Sequence, residues 1–146
     1  MSAPAAVMDL LALKTQLATI TVANGYRTDM GGAVFTGRDA LAVGSQRPLP
    51  TITLTSTRDD PTDRANLSAG QWCQGWTRTV ELEIQVAGAD AWETALDNAV
   101  DDVRRALARH TSPLTLGGIA FTPPASGGET AMAVMSLTYS YIVDYS

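Results

Sequence analysis

The chain has one histidine, one cysteine and one lysine in 146 residues. Each scarcity excludes something. Cys73 alone cannot form an internal disulfide framework or a cysteine-based zinc site. His110 alone cannot build a multi-histidine metal centre, and it makes a catalytic triad from one chain a poor expectation. Charge is sparse too: 17% charged against 45% hydrophobic residues is too apolar a mixture for whole-chain disorder. The net charge of −5 argues against a general nucleic-acid binder, which presents a basic face. Beside Lys14 every basic residue is an arginine, whose rigid fork suits fixed ion pairs at interfaces. No run approaches the ~18–20 apolar residues of a membrane span. The apolar N-terminus lacks the basic start of a secretory signal. These features predict a soluble cytoplasmic protein without a membrane partner.

What is present reads as one domain over 1–146. A chain of this length buries roughly 70% of its unfolded surface and needs no disulfide or metal staple. Val7, Leu10, Leu11, Leu13, Leu17 and Ile20 recur at helical spacing and predict an amphipathic helix over about 5–19. Asn24-Gly25 supplies the turn after it. A short strand is expected over 33–36, and Thr51-Ile52-Thr53-Leu54-Thr55 alternates as a second. Residues 57–75 are polar, aperiodic and broken by Pro61 and Gly70, which predicts a long loop of functional weight. Val80, Leu82, Ile84 and Val86 alternate with polar residues as the cleanest strand. The cleanest helix spans about 90–109, with Asp90 and Glu93 in a capping-box pattern and acids preceding arginines along it. Strands follow over 119–122 and 131–145, the last central in the sheet or covered on both sides. The order predicts an α+β fold, a mostly antiparallel sheet covered by two main helices.

No catalytic constellation emerges. Gly31-Gly32, Gly117-Gly118 and Gly127-Gly128 match neither a phosphate loop nor a dinucleotide fingerprint and read as turns. His110 follows the long helix, where an imidazolium suits the dipole. Asp59, Asp60 and Asp63 could hold a divalent cation, but their spacing fails the EF-hand pattern and favours a solvated acidic loop. Asp101-Asp102 and Glu81/Glu83 read as solvated or interface faces, and Cys73 as a small buried filler. Trp72 and Trp76 suit either interface anchors or a cap on the core. The expectation is a non-enzyme without cofactor. Its candidate interface residues are Arg58, Asp59, Asp60, Asp63, Arg64, Trp72, Trp76, Asp101, Arg104, Arg105 and Arg109.

One layout is specific. The first helix leads into Ile20-Thr21-Val22-Ala23-Asn24-Gly25-Tyr26-Arg27-Thr28-Asp29-Met30-Gly31, then Val34-Phe35-Thr36-Gly37-Arg38 and the Pro48-Leu49-Pro50 strand entry. The alternating strand from Trp76 to Val86, the striped helix, Leu116-Gly117-Gly118 and a long final strand complete it. This order resembles the tail-terminator, or tail-completion, proteins of long-tailed bacteriophages. The resemblance implies a structural subunit of an α/β sheet with packed helices. It implies a ring, usually hexameric, that caps the tail tube, stops its polymerisation and offers a surface to the head–tail connector. The implied partners are further copies of the chain, the tube protein and the connector, with DNA only as passing cargo. The implied location is the virion tail, assembled in the host cytoplasm. A tube subunit, a head–tail adaptor or, more remotely, a small ligand-binding domain are the alternative readings.

Overall fold

A computed structural model describes residues 5–36, 49–62, 73–111, 113–125 and 130–144, with the side chains of 5–8 outside the description. Asp63, Arg64 and Trp72 therefore lie outside the described residues. Helix α1 is Ala5–Leu17, β1 Val34–Thr36, β2 Thr51–Pro61, β3 Cys73–Ala87, α2 Trp92–Ala108, β4 Thr115–Thr122 and β5 Thr130–Asp144. The strands form one mixed sheet in the order β1-β2-β3-β5-β4. β1 runs parallel to β2, and every other neighbouring pair is antiparallel. This is the expected α+β architecture.

Alternation decides which face is buried. Ile52 and Leu54 on β2 stand opposite Ile84 and Leu82 on β3, which in turn oppose Ala133 and Met135 on β5. All six are buried, and they meet Leu13 and Leu17 of α1 and Leu96, Ala99, Val100 and Val103 of α2 in one core. The two helices lie side by side on this face, joined by the Gln16 side-chain amide, which donates to the Ala106 carbonyl at 3.0 Å. Truncating a core leucine such as Leu82 to alanine costs about 2–5 kcal/mol in sites of this kind.

The opposite face of β3 and β5 has no described helix over it. It carries Thr77, Thr79, Glu81, Glu83 and Gln85 beside Met132, Val134, Ser136, Thr138, Ser140 and Ile142. These positions are exposed or half-buried, so β5 is central in the sheet but covered by helices on one side only. On β2 the threonines behave differently: Thr51 and Thr53 are buried, and the Thr51 hydroxyl donates to the Ala33 carbonyl at 2.9 Å.

Four expectations change at the level of elements. Gly117-Gly118, expected as a turn, lies within β4, which begins at Thr115. The polar stretch over 57–75 is not all loop, because β2 continues to Pro61 and β3 begins at Cys73. Pairing across the sheet supplies the order that periodicity does not signal. The second helix starts at Trp92, with Ala91 at its N-cap and no side-chain cap bond, so Asp90 does not cap it. Cys73 is exposed at the start of β3 rather than a buried filler.

Candidate functional site

The most specific sequence motif, from Gly25 to Gly31, turns out to be a knot that ties the first helix to the second. α1 ends as the Thr19 and Ile20 amides turn to the carbonyls three residues back. A 3-10 turn follows, with the Thr21 hydroxyl accepting from the Asn24 amide and Gly25 at φ 90°, a left-handed position suited to glycine. Tyr26 is buried and its hydroxyl accepts from the Arg109 guanidinium at 3.1 Å, which also stacks on the ring. The Arg27 amide donates to both oxygens of Asp102 at 3.0 and 3.1 Å, and the Thr28 amide and hydroxyl donate to Oδ2 at 2.8 and 2.7 Å. Asp29 turns back to accept the Val22 amide at 2.8 Å. At Gly31 any Cβ would collide with the Ala18 carbonyl oxygen, so only glycine lets the chain close.

Asp102 is the centre of this knot and is fully buried. It was expected to lie with Asp101 on a solvated or interface face. Instead the two part: Asp101 is half-buried and lies 3.6 Å from both Arg27 and Arg105, while Asp102 turns inward. Its position between Ala99 and Ala106, one turn away on either side, is the signal that places it beside the apolar stripe. A buried carboxylate is tolerable here because backbone and hydroxyl donors surround it.

A second cluster sits at the far end of the sheet. The pairing of β2 with β3 slips between Ser56 and Arg58. This irregularity changes which residues face the helix side: Ser56 does so before it and Asp59 after it. Asp59 thereby faces Arg78, which donates through Nε and Nη2 at 2.8 and 2.7 Å, and the Tyr141 hydroxyl adds a third bond at 3.0 Å. Arg78 lies over the Tyr141 ring, 5.6 Å from its centroid. The Arg78 fork holds the Asp59 carboxyl below the usual carboxylate range, and Asp59 in turn keeps Arg78 firmly protonated. Burial pushes the Tyr139 hydroxyl up to about 12, and raises Tyr141 with help from Asp59.

The candidate interface residues thus fall into separate groups. Asp60, next to Asp59 and on the opposite face, pairs with Arg58 at 2.8 Å. The two acids therefore point apart, each with an arginine partner, and do not converge on a cation. Trp76 is half-buried on β3, opposite Tyr141 and Pro61. Arg104, Arg105 and Arg109 are exposed on or just past α2, with Arg109 at its C-cap. Arg27, Arg78, Tyr139 and Tyr141 escape the sequence reading of the site and Asp102 is misplaced by it, since their partners lie on other elements. Among the described residues no group of three or more histidine, cysteine or acidic side chains is placed to hold a metal.

A cleft of about 710 Å³ opens between the knot and the start of α2, lined mainly by Ala33, Leu49, Pro50, Val86, Trp92 and Ala95. Its polar rim is sparse: Asp29 uses one carboxylate oxygen to accept from the Val22 amide, and the Asn98 Oδ1 accepts from Arg27 at 3.2 Å. His110 lies outside it. The cleft therefore lacks the convergent polar groups that fix a bound small molecule. In comparisons with known proteins, no family profile matches the chain and no curated protein is significantly similar to it. Among the described residues no helix is long and apolar enough to cross a membrane.

Proposed function

We propose that the chain is a structural subunit of a phage tail, a terminator that forms a ring on the end of the tail tube. The residue order that resembles that family supports this reading, and the sheet face with no described helix over it carries it physically. That face presents hydroxyls and the acids Glu81 and Glu83 beside the apolar Met132, Val134 and Ile142, while its described arginine, Arg58, is neutralised by Asp60. Turned toward a channel, such a surface repels phosphate and lets DNA slide past without sticking. The helices on the other side are then left for neighbouring subunits, with Arg104 and Arg105 available for the lateral contact.

The test is the tail phenotype of particles assembled without this chain. A terminator leaves tubes that overrun their normal length and carry no heads. A tube subunit leaves no tubes at all, and a head–tail adaptor leaves tubes of normal length that are not joined to heads. Either of the last two outcomes overturns the terminator reading in favour of a different tail or neck protein.

A further inference from the structure

Strand β4 is the last strand of the sheet, and no described strand lies beyond it. Its eight residues, Thr115–Thr122, are TLGGIAFT, with no charge and no proline. Edge strands in monomeric proteins are guarded by lysines, prolines, bulges or short length, because an open row of amides and carbonyls invites another strand; β4 has a register shift between Leu116 and Ile119 but none of the other guards. Here Pro113 and Pro123 stand just outside the strand and leave its length open. Two large apolar side chains flank the row: Leu116 is 43% exposed and Phe121 50%.

Both lie on the helix side of the sheet, opposite Leu137 and Ala133, because the register shifts between Leu116 and Ile119. Each stands at a groove between the strand and α2. Phe121 shares a groove of about 240 Å³ with Trp92 and Leu96, and Glu93 and Asp97 rim it. Leu116 shares one of about 320 Å³ with Leu107, Pro113 and Leu114, and Arg104 rims it. Main-chain pairing with pockets for alternate side chains is how strand-addition sites recognise their partners.

We propose that the free protein pairs with a second copy of itself through β4, antiparallel about a two-fold axis, with Leu116 of each copy opposite Phe121 of the other. The rims decide the occupant. A reversed copy of the same strand brings an apolar side chain to each groove. It also sets the Arg104 end of one α2 against the Glu93 and Asp97 end of the other, twice over. The contact is isologous and joins two five-stranded sheets into one of ten strands. The pairing stands independently of the tail reading; if that reading holds, an isologous contact cannot close a ring whose two faces differ, and it belongs to the protein before assembly.

The register makes a sharp test. Thr115 of one copy lies opposite Thr122 of the other, and opposite residues of an antiparallel pair have Cα atoms about 4.5–5.5 Å apart, within disulfide reach. Both threonines are exposed, so cysteine fits without disturbing the core. In a Cys73→Ser background, Thr115→Cys mixed with Thr122→Cys forms a disulfide-linked dimer on oxidation, and neither variant alone does. Phe121→Lys, which puts a charge at the seam, weakens self-association at least about tenfold as read by sedimentation. A mixture that links no better than the single variants overturns the pairing. So does a wild-type chain that stays monomeric, or an oligomer that Phe121→Lys leaves intact. In that last case the tail reading survives, whereas a β4 dimer from a phage with normal tails in its absence sinks the tail reading alone.

Discussion

At Asp102 one carboxylate holds two backbone segments that stand some seventy-five positions apart in sequence, accepting four hydrogen bonds from Arg27 and Thr28. Removing it strands three part-buried donors, the Arg27 and Thr28 amides and the Thr28 hydroxyl. Asp102→Ala is expected to cost about 2–4 kcal/mol, and Asp102→Asn, which keeps one acceptor oxygen, about half as much. Urea denaturation measures both, and values within about 0.5 kcal/mol of wild type for the pair would contradict the knot. Asp59 acts through pH instead. Arg78 lowers its folded pKa, so its stabilisation is fully present above the unfolded value near pH ~4 and is lost as pH falls through the lower folded value. Asp59→Asn is therefore expected to be less stable than wild type at neutral pH and to lose less on acidification below pH ~4. Parallel loss in both proteins would show that the ion pair with Arg78 does not contribute. Asp102 was hard to read because an aspartate beside an apolar stripe normally marks the edge of a solvated face, and its donors are backbone groups with no side-chain signature. Asp59 was hard because the register slip, not the local pattern, turns it toward Arg78.

Among the elements, the strongly periodic ones were legible. The alternation from Val80 to Val86 and the stripe from Leu96 to Leu107 report directly which face meets the core, and both elements form where that pattern runs. Ends were less legible. β2 and β3 extend into the polar stretch because each completes the other's hydrogen bonds, a long-range benefit that threonine, arginine and aspartate side chains do not announce. At the start of α2 the sequence offers Asp90 with Glu93, but the Trp92 amide turns to the Ala89 carbonyl and the helix begins after Ala91. Asp90→Ala is accordingly expected to change stability by less than about 0.5 kcal/mol, where loss of a true cap costs typically ~1 kcal/mol. Thermal or chemical unfolding checks it, and a loss of the larger size would restore Asp90 as the cap.

The whole molecule has two unlike sides. Among the described residues, helices and the arginines of α2 make one, and a sheet face of hydroxyls, two acids and a few apolar side chains makes the other, ending in the uncharged edge strand β4. The candidate site is a surface rather than a cleft, which explains why few of its parts were visible in the residue order: a surface is made by elements brought side by side, and no short motif encodes it. The motif that was visible, from Gly25 to Gly31, serves the fold. The most direct measurement of the terminator reading is the length distribution of tails made in the absence of this chain, taken from electron micrographs against tails made with it. The account predicts a broad distribution running beyond the normal length, restored to a single length when the chain is supplied. Tails of one unchanged length in both preparations would contradict it.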